Sequence, residues 1–246
     1  VYDLSLSTDD NPHSGNPGGS LSVGAALMCM IFAMGDISGG LFNPAVTIAY
    51  LGRFHGTGCG VGEDKLQDML TSPKEGVKYF VAQTLGALAG TGLTILIWLA
   101  SGTYPIAEIG PQPIGTDPTV THTIGQAFFA ETFGTFLYCY VVICVATTFT
   151  PLKEYKAFAI GCTFIAGGYA FGPLSGGVLN PAVTIADCVV RAEVFTQFST
   201  PLLFVGGQLL GGVLALWSSG SSRTLMRWRW MGSLRATRDS VLRLGM

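Results

Sequence analysis

Apolar runs long enough to cross a bilayer alternate with short polar segments along almost the whole chain. The long runs are residues 20–35 (SLSVGAALMCMIFAMG), 77–100, 123–149, 157–172 and 200–219. A spanning helix needs about 20 predominantly apolar residues, within a range of about 17–25, so five spans are expected. Residues 1–19 hold Asp3, Asp9, Asp10 and two Asn-Pro pairs, and residues 102–122 are rich in Pro, Gly and Thr; both segments read as loops. Two further apolar segments, Pro44–Gly52 and Pro181–Val190, have only 9 and 10 residues. At about 1.5 Å per residue they reach about 14–15 Å, half of a hydrocarbon core about 30 Å thick. They are expected as half-helices.

Composition sharpens the membrane reading. Hydrophobic residues make up 49% of the chain and charged residues 11%, against about 25% charged in soluble domains. The 34 glycines suit close packing of helices in lipid. The net charge of -2 says little, but its distribution says more. With alternating spans, Arg53, Lys65, Lys74, Lys78, Lys153, Lys156 and six tail arginines fall on one side, and Arg191 alone on the other. The positive-inside rule makes the basic side cytoplasmic, with the C-terminus there. Residues 220–246 form a basic tail with Trp228 and Trp230, fit to lie on an anionic membrane surface or to dock a protein partner. Cys29, Cys59, Cys139, Cys144, Cys162 and Cys188 form no C-x-x-C pair and read as small buried hydrophobes. Nothing at metal-ligand, nucleophile-base or phosphate-loop spacing rises above chance. No catalytic residue, metal site, cofactor or nucleic-acid partner is expected, and the chain does not read as an enzyme.

The strongest signal is a repeat. Residues 38–50 read SGGLFNPAVTIAY and residues 175–187 read SGGVLNPAVTIAD, with ten of thirteen positions identical at an offset of 137. The copies follow spans of opposite direction, so they enter from opposite faces, the mark of an inverted repeat. In each, Asn suits a helix N-cap and Pro the first helical position. Asn43, Pro44 and Ala45, and Asn180, Pro181 and Ala182, therefore open two half-helices. The caps are expected to leave each carboxamide NH2 free to donate, and the Ser-Gly-Gly stretches to run extended with carbonyls facing a pore. A helix N-terminus carries roughly half a positive elementary charge. Two such ends at the midplane repel cations and donate hydrogen bonds to a neutral solute. A single Asn-Pro-Ala is an ordinary turn; Asn11-Pro12 and Asn16-Pro17 are read as loop.

These blocks, with AQTLGALAG at 82–90, FFAETFGTFL at 128–137 and FGPLSGGVLNPA at 171–182, resemble the aquaporin or major intrinsic protein family. The resemblance covers nearly the whole chain, as one transmembrane domain over residues 1–246. Residues 20–100 would be a first repeat lacking its first helix, and residues 123–219 the second repeat. Because the chain starts at Val1 and residues 1–19 resemble the loop after that helix, an upstream segment is expected. The resemblance implies an all-α membrane fold, an aquaporin-like inverted repeat of spanning helices plus two re-entrant half-helices. It also implies a homotetramer in a lipid bilayer. The implied function is a passive channel for water or small uncharged solutes such as glycerol, urea, ammonia or peroxide. The alternative is a structural subunit of a larger membrane complex with a non-conducting pore.

The family's filter positions carry over to Val23, Gly168, Gly177 and Val183. The last is normally arginine. A Val-Gly-Gly-Val set is small and uncharged, so a wide, apolar constriction is expected. The resemblance further implies that Glu131 braces the second re-entrant loop through backbone N–H groups, and that Gln83 has a packing or loop-supporting role.

Overall fold

Each apolar run folds as a single helix. A computed structural model describes residues 17–56, 72–100, 123–147, 155–190 and 199–219, apart from a few side chains at 17, 18, 54–56 and 98. The helices are α1 (Pro17–Ser38), α2 (Pro44–Gly56), α3 (Pro73–Ala100), α4 (Ile124–Thr147), α5 (Lys156–Ser175), α6 (Pro181–Val190) and α7 (Ser199–Ser219). Five of them, all but α2 and α6, are long and apolar enough to cross a membrane. There is no strand among the described residues. Cys59, Lys65, Lys153, Arg191, residues 1–16 and 101–122 and the basic tail lie outside the described residues.

Several boundaries differ from those expected: α1 runs on to Ser38, α3 starts at Pro73 and α5 ends at Ser175, each three or four residues beyond the apolar run. The loop assigned to residues 1–19 ends sooner, because α1 begins at Pro17, a residue pre-set for a first helical turn. The first half-helix has 13 residues rather than 9 and runs through Arg53 to Gly56. Arg53 does not end it, because its side chain is buried inside the protein, only 2% exposed. At about 20 Å, α2 still falls short of the hydrocarbon core.

The repeat organises the fold. Helices α1, α2 and α3 correspond to α5, α6 and α7, and α4 has no counterpart among the described residues. The halves meet where α1 crosses α5. A Cβ on Gly24 would stand 2.9 Å from the Gly161 carbonyl oxygen, and one on Gly161 would stand 2.8 Å from the Gly24 oxygen. These two glycines are related by the same offset of 137, so the crossing sits on the pseudo-two-fold axis. Absent side chains let the backbones approach as small-residue contacts do in lipid.

Behind the half-helices, α2 packs on α3 and α4, and α6 packs on α3. A cluster containing Ile31, Val46, Ala49, Tyr50, Tyr138, Val142 and Ile143 fills the space between them. Tyr138 of α4 meets Phe164 of α5 edge to face at 5.4 Å. Among the cysteines, Cys139 and Cys188 are buried and Cys144 and Cys162 half-buried, but Cys29 is exposed on α1, contrary to expectation. Its place on a helix facing outward costs little in lipid, where a thiol behaves as a small hydrophobe.

Helices α4 and α7 are in backbone contact. A Cβ on Gly211 would lie 2.5 Å from the Thr132 carbonyl oxygen and 2.8 Å from the Phe136 nitrogen. Neither backbone atom can turn aside. Gly211→Ala is therefore expected to destabilise the protein by about 1–3 kcal/mol, the usual cost of overpacking. Gly206→Ala, with nothing within 4 Å, is expected to be neutral or slightly stabilising. Thermal unfolding of both variants in detergent checks this; equal midpoints would contradict the contact.

Candidate functional site: the paired Asn-Pro-Ala ends

The two half-helices meet at their N-termini, and each asparagine does two jobs. Asn43 Oδ1 accepts the Ala45 N–H at 2.9 Å, and Asn180 Oδ1 accepts the Ala182 N–H at 3.0 Å. Their backbone carbonyls accept the first helical bonds, from Thr47 N at 3.0 Å and Thr184 N at 2.9 Å. That is N-cap geometry, with Pro44 and Pro181 in the first turn, where a missing donor is harmless.

The carboxamide NH2 groups differ from expectation. Asn43 Nδ2 donates to the Leu179 carbonyl at 2.8 Å. Asn180 Nδ2 donates to the Phe42 carbonyl at 3.0 Å. Each asparagine thus grips the residue that precedes the other asparagine. One amide hydrogen per carboxamide is spent on this exchange, leaving one rather than two for a solute. Asn43 is 2% exposed and Asn180 9%, so both sit deep in the protein.

The glycine pairs before the motifs are not extended either. Gly39 and Gly40 have φ of 74° and 65°, and Gly176 and Gly177 have 89° and 60°. The left-handed turn follows from the need to close a helix and reverse the chain within a few residues: the Gly176 N–H bonds the Gly172 carbonyl at 2.8 Å, ending α5. Leu179 also has positive φ, at 50°. A branched residue pays for that conformation, and here its side chain is fully buried beside Gly134 and Gly167.

Glu131 of α4 holds this strained segment. It is fully buried. Its carboxylate accepts Val178 N at 3.1 Å, Leu179 N at 2.9 Å, Ser175 Oγ at 2.6 Å and Gln208 Nε2 at 2.7 Å. Gln208 of α7 also donates to Thr184 Oγ1 at 2.9 Å. In the first half, Gln83 of α3 replaces both partners. Its Nε2 donates to Leu41 O and to Thr47 Oγ1, each at 2.9 Å, while its Oε1 is buried with no partner among the described residues. Tyr79 adds an O–H bond to the Ser38 carbonyl at 2.9 Å.

Ser175, Thr184 and Gln208 belong to this network and were not singled out from sequence. A signal for Gln208 exists: Gln208 and Gly211 on α7 repeat the Gln-x-x-Gly spacing of Gln83 and Gly86 on α3. A second buried acid, Asp187 of α6, was also missed; its Oδ1 accepts Thr91 Oγ1 of α3 at 3.1 Å.

Of the four carried-over filter positions, the structure brings two into contact. A Cβ on Gly177 would stand 3.2 Å from Gly168 Cα and 3.3 Å from Gly168 O. The side-chain direction of Gly168 is already filled, because Ser20 Oγ lies 2.6 Å from where its Cβ would be. Val23 is one turn along α1 from Ser20, and Val183 stands in the first turn of α6; both are partly exposed.

A family profile described as major intrinsic protein matches residues 4–219. The chain is 31% identical over 206 residues to aquaporin NIP1-1 of Zea mays, covering 82% of this chain and 61% of that protein. It is 30% identical over 203 residues to nodulin-26 of Glycine max, covering 82% and 64%. It is 30% identical over 218 residues to the lens fiber major intrinsic protein of Gallus gallus, covering 86% and 71%. The chain thus spans less than two-thirds of the length of the two plant relatives. The X-ray structure of the aquaglyceroporin from Plasmodium falciparum shares the fold, with a TM-score of 0.63 at 20% identity over 83% of this chain and 81% of that one. Five apolar helices, two half-helices joined through their asparagines, and a profile match over most of its length make this an integral, multi-pass membrane protein of the major intrinsic protein family.

Proposed function

We propose that the chain forms a passive channel for small uncharged solutes, centred on Asn43 and Asn180. The observation that carries this reading is the reciprocal pair of hydrogen bonds from each asparagine to the carbonyl preceding the other. It holds two positive helix ends together at the meeting point of the half-helices. Each asparagine keeps one amide hydrogen for a passing solute, and the paired dipoles repel cations. The family relationship supports the same reading. In this reading Val23, Gly168, Gly177 and Val183 form the outer constriction, residues 1–246 form one domain, and the basic tail faces the cytoplasm. The permeant class is water and small neutral molecules such as glycerol, urea, ammonia or peroxide.

The test is reconstitution of the full chain in liposomes, with light scattering after osmotic shock by sucrose, glycerol and urea. Solute flux above that of empty liposomes supports the channel; flux equal to empty liposomes overturns it and favours a structural subunit. Val183→Arg adds a long cationic side chain to the first turn of α6. It is expected to lower glycerol flux roughly tenfold, the scale on which one misfitting group discriminates in a pocket, and to lower water flux less. An unchanged water-to-glycerol ratio would remove Val183 from the constriction.

A further inference from the structure

The family's filter positions leave this chain without a polar side chain at its outer constriction: two are valine and two are glycine. The structure places a hydroxyl against one of these positions, Gly168, from a residue not among the four. Ser20 Oγ occupies the space into which a Gly168 side chain would project, 2.6 Å from the ideal Cβ position, with Ser20 Cβ at 2.9 Å. Gly177 packs on Gly168 too: a Cβ on Gly177 would stand 3.3 Å from Gly168 O. Gly168 therefore does not open the constriction. It lets α1 close in and bring its own side chain to that point.

The state of this hydroxyl matters. Several hydroxyls on the spanning helices bond the carbonyl four residues earlier: Ser38 to Met34, Thr84 to Phe80, Thr94 to Gly90, Thr147 to Ile143 and Thr163 to Ala159; those of Thr132 and Thr135 on α4 are instead buried with no partner among the described residues. Ser20 stands in the first turn of α1, which begins at Pro17. It has no hydrogen-bond partner among the described residues, and it is partly exposed. A hydroxyl both donates and accepts, whereas the family's arginine only donates.

We infer that Ser20 is the solute-contacting polar residue of the outer constriction, standing in for the missing arginine and favouring small hydroxylated solutes over water. Ser20 offers one two-way hydrogen bond, and Val23, one turn along α1, offers apolar contact to a carbon chain. This inference rests on the channel reading above.

The experiment uses the full chain in liposomes, with glycerol and water permeabilities measured for wild type, Ser20→Ala, Ser20→Thr and Ser22→Ala. Loss of one hydrogen bond in Ser20→Ala is expected to lower glycerol permeability roughly fivefold and water permeability less than about twofold. Ser20→Thr, which keeps the hydroxyl, is expected to hold the wild-type glycerol-to-water ratio. Ser22→Ala lies on another face of α1 and is expected to leave both fluxes unchanged. If wild type conducts and Ser20→Ala keeps the wild-type ratio, the inference falls and the channel stands. If Ser20→Ala and Ser20→Thr fall together, the serine acts by packing alone and the inference falls. If wild type conducts no better than empty liposomes, the channel reading fails and takes this inference with it.

Discussion

Glu131→Ala is expected to abolish the folded state under conditions that leave wild type intact. The carboxylate accepts four hydrogen bonds, from Ser175, Val178, Leu179 and Gln208, and is fully buried. Its removal strands the backbone N–H groups of Val178 and Leu179 and takes one of two acceptors from the Gln208 carboxamide. Each lost partner costs about 1–3 kcal/mol, for a total on the order of 3–9 kcal/mol. That rivals the whole stability of a typical domain, about 5–15 kcal/mol. The loss also lands on Leu179, whose positive φ is tolerated only while its N–H and side chain are held. Glu131→Gln should be milder but still damaging, since an amide NH2 cannot accept from the donors around it. Size-exclusion profiles and thermal unfolding in detergent report both. A monodisperse Glu131→Ala with a wild-type midpoint would show that the carboxylate does not hold the loop.

The second large effect is on conduction. Asn43→Asp replaces the Nδ2 donor by a second oxygen, which then faces the Leu179 carbonyl 2.8 Å away. Two acceptors repel, the cross-bond is lost, and a buried ionisable group stands where a neutral donor served. The remaining cap, to Ala45 N, survives because Oδ1 is retained, so α2 should still start at Pro44. Solute flux in liposomes is expected to fall at least about tenfold, corresponding to about 1.4 kcal/mol on the barrier. Asn180→Asp should do the same through Phe42. Flux within twofold of wild type in folded protein would separate the asparagines from the conduction path.

The sequence made the spans legible because lipid leaves the chain few options. Backbone polar groups must be satisfied within each segment, so uninterrupted apolar runs become helices. The boundaries were less legible, because a proline at position 17 and a buried Arg53 each extended a helix past the polar residue that marked its end. The asparagine caps could be read, since cap and first-turn proline are local chemistry. The direction of the carboxamide NH2 groups could not. It depends on left-handed residues at Gly40, before Phe42, and at Gly177 and Leu179, in the two segments whose Phe42 and Leu179 carbonyls accept the cross-bonds. Nor could the role of Gly168. A missing side chain reads as empty space in a sequence, but here it is a point of close helix approach, and what fills it comes from another span.

The exchanged asparagine bonds make each copy of the repeat the other's ligand. A half-molecule made alone would present a donor with no acceptor and a carbonyl with no donor, both inside the bilayer. The complement it lacks is found only on a segment inserted in the opposite orientation. Separate halves of this protein should therefore persist only when co-inserted with opposite topologies, and such reassembly from fragments would depend on Asn43 and Asn180 together rather than on either one.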